Sequence, residues 1–276
     1  MSEEVAANLR LWDGWTDLHM SGSYYDVEGF VASPESRPFV WLTREVVGDV
    51  AGKRLLHLQC HVGIDTLRFV LAGAVDVTGV DFSPRAVAAA QSIAARLDLP
   101  ARFVDADVTE LPDDVPEAAY DVVFTSYGTI MWLPDLDRWA QMIASRLAPG
   151  GVFHIIDAHP FLTVFDDETT EPVLSVRYPY FSREPLYFEE HGSYADRDAD
   201  FVADSFVWQH TFSEIVGSLL KHGLEIQQLQ EYPVVAWKAL EFMEQGEDGL
   251  WRMPAGIGDI PLMFSLTASK PAHAPG

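Results

Sequence analysis

The chain has 276 residues, 48% of them hydrophobic, and carries 42 acidic against 18 basic side chains, a formal net charge of −24. That length and apolar fraction provide for one large α/β domain or two small ones. So acidic a chain lacks the Lys/Arg stripe that nucleic-acid phosphates require; the acidity reads first as solubility and leaves room for a cationic or amine substrate.

Cys60 is the only cysteine, which excludes an internal disulfide and fits a reducing compartment. MSEEVAANLR carries no signal-peptide pattern, and no apolar run reaches membrane-spanning length. A soluble cytoplasmic protein is therefore expected, with no membrane partner.

In chain order, Leu11, Trp12, Trp15, Leu18 and His19 fall on one face of a helix over 5–19. The aromatic segment SGSYYDVEGF follows. This stretch reads as a lid over a ligand mouth or as a helix docked on the core through Trp12 and Trp15, and the two readings are compatible. A helix is expected over Pro38–Val47, and Gly52 turns the chain into a first strand at Arg54–Leu58. The loop Gln59–Gly63 leads to a helix over Ile64–Leu71 that stops at Gly73, then to a second strand at Val75–Val80. Ser83 as N-cap and Pro84 at the first helical position start an alanine-rich helix. Strands are expected at Ala101–Val104, Tyr120–Ser126 and Val152–Asp157, with a helix over Leu136–Leu147 closed by Pro149, Gly150 and Gly151. Such βα units in succession give a parallel sheet with helices on both faces. Their strand-following loops share one edge. Gln59–Gly63, Asp81, Asp105–Val108, Ser126–Gly128 and Asp157–His159 should therefore meet in one crevice.

The acidic, aromatic stretch 161–207 breaks the rhythm. Alternation in PLYFEEHGSYA and DFVADSFVWQH predicts two strands, and a long insertion at the ligand edge reads as a substrate cap. A helix over Thr211–His222 and strands at Leu224–Leu229 and Pro261–Ala268 follow, the strands as antiparallel neighbours at a sheet edge. The tail KPAHAPG is expected to fray. Residues 1–160 thus form a lid helix and a cofactor-binding half, 161–207 a cap, and 208–276 the completion of the same α/β domain.

LLHLQCHVG, GVDFSP, FVDADVTELP, YDVVFTSYG and LAPGGVFHIID, in that order, resemble the motifs of the class I S-adenosylmethionine-dependent methyltransferases. The resemblance implies a Rossmann-like, seven-stranded, mostly parallel sheet with an antiparallel last strand and helices on both faces. It implies S-adenosylmethionine as cofactor and a small-molecule methyl acceptor. On this basis Asp81 accepts from the ribose hydroxyls and Phe82 packs on the adenine. Asp107 accepts from the adenine amino group, and Val108 donates its backbone N–H there. Ser126 and Tyr127 form the floor beneath the sulfonium, Gly63 lets the backbone approach the methionyl part, and Tyr25 reaches the cofactor carboxylate. The first loop departs from the family. His57 stands where an acid is usual, and Gln59 and His61 stand where glycines are usual, so the loop must use ordinary φ values or tolerate strain. Asp65 is a candidate replacement acid, and the cofactor should be held through the Gln59 and His61 side chains.

A metal at His57, Cys60 and His61 is disfavoured, because histidines four apart share a face on a helix and this is a strand end entering a loop. No cation stands beside Cys60 to activate its thiol. Should the acceptor carry a proton, the candidate bases are His19, His159 and His210, each of which reads more readily as a hydrogen-bonded structural histidine. The competing functions are a nicotinamide-dependent (NAD(P)) oxidoreductase, for which QCHVG lacks the pyrophosphate glycines, and a non-catalytic S-adenosylmethionine-binding module.

Overall fold

The computed structural model describes residues 1–37 and 39–272. The chain begins with α1 (Glu3–Ser21), α2 (Val27–Ala32) and α3 (Trp41–Val47). The helix expected from Pro38 thus begins at Trp41, after Val40 in non-helical backbone (φ −50°, ψ 138°); Pro38 itself lies outside the described residues. Then β1 (Arg54–Leu58), α4 (Ile64–Leu71), β2 (Val75–Asp81), α5 (Pro84–Leu97), β3 (Ala101–Asp105), β4 (Tyr120–Ser126), α6 (Leu136–Arg146) and β5 (Leu147–Ala158) alternate. The chain continues through β6 (Leu186–His191), β7 (Val202–Val207), α7 (Phe212–Lys221), β8 (Glu225–Tyr232), the short β9 (Glu244–Gln245) and β10 (Trp251–Arg252), and β11 (Met263–Ser269).

The main sheet has seven strands in the order β3-β2-β1-β4-β5-β11-β8. The five strands from β3 to β5 are parallel, and β11 runs antiparallel between β5 and β8. The order reverses between β1 and β4, which opens the crevice where ligands of such sheets bind. Burial on both faces explains the run of apolar residues in β1 and β4. Leu56 and Val123 join one core with Trp139, Ile143 and Ile215 of α6 and α7. Leu55, Val122 and Phe124 pack the opposite face against Leu42 and Val47 of α3.

β5 is longer than the sequence signals. Pro149, Gly150 and Gly151 read as a turn, yet they lie within the strand as a bulge: Tyr120 pairs with Leu147 and Val122 with Val152. The Gly150 N–H donates to Lys270 O (2.9 Å) and the Lys270 N–H to Gly151 O (2.9 Å), so the final strand supplies the partners that turn residues would otherwise find in water. Residues 273–276 of the tail expected to fray lie outside the described residues.

β6 and β7 form a separate antiparallel hairpin. It hangs on α1: Asn8 Nδ2 donates to Phe206 O (2.7 Å), the Phe206 N–H to Asn8 Oδ1 (2.8 Å), and Trp15 Nε1 to Gly192 O (2.7 Å). The same helix is tied to α5, where Ser83 Oγ donates to Asp13 (2.6 Å) and Arg85 pairs with Asp17 (2.6 Å). Among the described residues, no helix is long and apolar enough to cross a membrane.

Candidate cofactor and substrate cavity

A cavity of about 590 Å³ opens at the carboxyl edge of the sheet, within the range of roughly 300–1,000 Å³ usual for small-ligand sites. Its walls come from the ends of β1 (His57, Gln59–Gly63), β2 (Asp81, Phe82), β4 (Ser126–Thr129) and β5 (Ala158), from Trp12, Trp15, Tyr24 and Tyr25 ahead of the sheet, and from the hairpin and the stretch before it.

The first loop keeps a glycine-like path without the glycines. Gln59 (φ 54°), His61 (φ 49°) and Gly63 (φ 76°) all take left-handed backbone, so of the two outcomes open to the loop it tolerates strain. Side-chain bonds hold it there. Gln59 Nε2 donates to Thr129 O (2.8 Å) across the β1–β4 switch point, and the His61 N–H donates to Asp81 Oδ2 (2.8 Å). Gly63 answers to packing as well: a Cβ there would stand 2.6 Å from the Phe103 ring and 2.7 Å from Ala90 Cβ.

His61 Nε2 lies 2.7 Å from His19 Nδ1. Burial depresses both rings, His19 to about 4, and His19 depresses His61 further, so both are neutral at neutral pH. His57 is likewise held at about 4 by burial, with Nδ1 bonded to Thr66 Oγ1 (2.8 Å) and Nε2 3.5 Å from Ser126 Oγ. Cys60 is buried, and burial pushes its thiol well up. Among the described residues no group of His, Cys, Asp and Glu is arranged to hold a metal.

Asp81 is 6% exposed, and burial lifts its carboxyl to about 6 although the His61 and Ser83 N–H groups donate to it. Asp157 is buried at the end of β5 and gathers the N–H groups of Gly128 (2.6 Å), Thr129 (3.0 Å) and Ile130 (3.1 Å). It thereby fixes the turn after β4, including Tyr127 at φ 57°, whose hydroxyl bonds Thr43 Oγ1 (2.7 Å). Tyr25 and Tyr194 share a hydroxyl–hydroxyl bond that ties the segment after α1 to the β6–β7 loop. Tyr194 keeps 37% of its surface open, but that surface lines the cavity, and burial raises its hydroxyl pKa.

Of the positions singled out in the sequence, Tyr25, Gln59, His61, Gly63, Asp81, Phe82, Ser126 and Tyr127 line the cavity together. Asp107 and Val108 do not. The Asp107 carboxylate accepts from Thr109 N (2.8 Å) and Oγ1 (2.7 Å), and Val108 is buried in the core. Their loop nevertheless adjoins Asp81, whose carbonyl accepts from the Ala106 N–H (2.9 Å). His19, His159 and His210 also stand outside the lining: His159 Nε2 meets Glu231 (2.9 Å) and His210 Nε2 meets Leu133 O (2.8 Å). The histidines that do line it are His57 and His61. Asp65 lines it as well, paired with Arg68 at 2.6 Å. Sequence reasoning passed over Trp132, Asp167, Glu190 and Trp237. For Glu190 a signal existed, since the alternation of β6 puts it on the face of Leu186 and Phe188.

Residues 56–153 match a family model described as a methyltransferase domain. Among curated proteins, the 27-O-demethylrifamycin SV methyltransferase of Amycolatopsis mediterranei is 36% identical over 37% of this chain and 37% of its own length. The ribosomal protein L11 methyltransferase of Burkholderia mallei is 37% identical over 40% of this chain and 33% of its own. The chain thus spans about a third of the length of the curated relatives it matches. Among solved structures, an S-adenosylmethionine-dependent methyltransferase from Mesorhizobium loti superposes with a TM-score of 0.57 at 17% identity, over 88% of this chain and 100% of that one. The fold is that of the class I S-adenosylmethionine-dependent methyltransferases.

The cofactor such a fold implies suits the residues present. Among the described residues, Gln59 Oε1 and His61 Nδ1 of the first loop and Trp12 Nε1 of α1 are buried polar atoms without partners, all three on residues that line the cavity. Buried polar atoms normally find partners, and an adenosyl amino acid carries donors and acceptors of both kinds.

Proposed function

We propose that the chain transfers a methyl group from S-adenosylmethionine to a small-molecule acceptor, in the cytoplasm. The observation that carries this is the joining, in one cavity, of the first loop, Asp81 and the aromatic wall of lid and cap. When bound, S-adenosylmethionine supplies a methyl carbon activated by its sulfonium, and the electron pair of the broken C–S bond stays on sulfur. Asp81 accepts from the ribose hydroxyls, with Phe82 against the adenine. Gln59, His61 and Tyr25 hold the methionyl part, over a floor of Ser126 and Tyr127. Trp12, Trp15 and Tyr194 exclude water, so alignment and desolvation supply most of the acceleration. Because His19, His159 and His210 stand outside the lining, this reading rests on positioning; a base enters only for an acceptor that must lose a proton. A cavity of about 590 Å³ favours a compact acceptor over a folded protein substrate.

Thermal-shift titration tests the reading. S-adenosylmethionine or S-adenosylhomocysteine at a hundredfold excess over Kd should stabilise the fold by about 2.7 kcal/mol. Asp81→Ala should weaken the affinity about tenfold or more, which at the same ligand concentration cuts the stabilisation to about 1.4 kcal/mol or less. A response to NAD with none to the adenosyl sulfur compounds would overturn it.

A further inference from the structure

β6 turns alternate side chains to opposite sides. Leu186, Phe188 and Glu190 line the cavity, while Tyr187 faces out at 56% exposure and His191 pairs outside with Glu189 (3.0 Å). Glu190 therefore stands as an acid on an apolar strand face that lines the cavity, where burial raises its carboxyl. A carboxylate so placed is unfavourable unless something compensates its charge. No Lys or Arg among the described residues pairs with it; the neighbouring His191 opposes the shift, but by less than Asp167 adds to it. Among the described residues, the hydrogen-bond donor to its carboxylate is Ser205 Oγ (2.7 Å). Asp167 lines the same cavity, accepts from Tyr178 Oη (2.8 Å), and raises Glu190 further through its own charge.

The neighbouring cations are committed elsewhere. Arg177 serves Asp166 (2.8 Å) and Glu168 (2.6 Å), the acids on either side of Asp167. Arg68, the only Lys or Arg among the lining residues, pairs with Asp65 (2.6 Å). The charged lining is thus Asp65, Asp81, Asp167 and Glu190 against Arg68. S-adenosylmethionine, with its net positive charge, offsets part of this and leaves the cap end negative. Beside Asp167 and Glu190 the wall is aromatic, Tyr178 and Phe188 meeting edge to face at 5.5 Å.

We propose that the methyl acceptor is an organic amine, bound as its ammonium by Asp167 and Glu190 with its apolar body against Tyr178 and Phe188. Glu190 takes one N–H proton, and the freed nitrogen lone pair forms the bond to the methyl carbon. The electron pair of the broken C–S bond stays on sulfur, and the product leaves as the N-methylammonium while the Glu190 proton passes to solvent. This rests on the methyltransferase reading. The cavity itself defines the site; the two carboxylates set its specificity. Ammonium recognition by paired carboxylates with aromatic faces uses charge and cation–π attraction together, and the net charge of −24 draws cations toward the protein.

Calorimetric titration of the full chain tests it in two stages. S-adenosylhomocysteine is titrated first; absence of binding overturns the methyltransferase reading and this one with it. Phenethylamine is then titrated into the S-adenosylhomocysteine complex, beside neutral 3-phenylpropan-1-ol and anionic 3-phenylpropanoate. The amine should bind about tenfold or more tighter than the alcohol, and the carboxylate weakest. Glu190→Gln keeps an acceptor for Ser205 and removes the charge. It and Asp167→Asn should each erase most of the preference for the amine while leaving the alcohol and S-adenosylhomocysteine unaffected. Equal binding of amine and alcohol, or a preference that survives both substitutions, overturns the amine proposal and leaves the methyltransferase reading standing.

Discussion

At φ 54° and 49°, Gln59 and His61 hold backbone that costs an ordinary L-residue roughly 1–2 kcal/mol over glycine. Glycine gives part of that back through its freer unfolded chain. His61→Gly should therefore exceed His61→Ala in stability by about 0.5–1 kcal/mol in denaturant unfolding; equal midpoints would mean an unstrained loop. The missing glycines were visible in QCHVG, but the retained glycine-like path was not, because the bonds that hold it come from Thr129 and Asp81. Asp81 gives a pH prediction. Burial raises it to about 6, so the folded chain binds this proton more tightly than the unfolded chain. Its contribution to stability is then complete below the ordinary carboxyl range and is lost as pH rises through about 6. Ribose hydroxyls favour the ionised form, so S-adenosylhomocysteine affinity should rise from about pH 5 to 7. Calorimetry across that range should show the rise in the wild type and a flat profile in Asp81→Ala.

Elements with strong local signals form where the sequence placed them. Ser83 caps α5 through the Ala86 N–H (3.1 Å), with Pro84 opening the helix, and Thr211 and Glu214 make a capping box on α7. The β6–β7 hairpin follows the predicted alternation. The clamp between α1 and β7 was illegible, since Asn8 reaches a partner 198 positions away. Removing it by Asn8→Ala leaves the Phe206 N–H and C=O unpaired, and stability should fall by about 2 kcal/mol. Hydrogen exchange at Phe206 should quicken in that variant. Unchanged exchange there would show that the hairpin is held by the aromatic contacts alone.

For the molecule as a whole, a net charge of −24 means self-repulsion in the compact state. Raising salt from about 0.02 to 0.3 M shortens the screening length, so the thermal midpoint should rise. A midpoint that falls would point to the surface ion pairs, such as Arg96–Glu28 and Arg85–Asp17, outweighing the repulsion. The same excess appears in the cavity, where Asp65, Asp81, Asp167 and Glu190 outnumber Arg68.

By itself the sequence determined the succession of strands and helices, the parallel sheet and its ligand edge. Those follow from apolar periodicity, caps and turn residues, which act between near neighbours. Only the tertiary structure decided which side chains share the cavity. Asp107 and the three nominated histidines carry plausible motifs but stand outside the lining, whereas His57, Trp132 and Glu190 line it. The physical reason is that a cavity is assembled from segments far apart in the chain. Its membership depends on how α1, the hairpin and the β4–α6 turn pack over the sheet, and no local pattern records that packing.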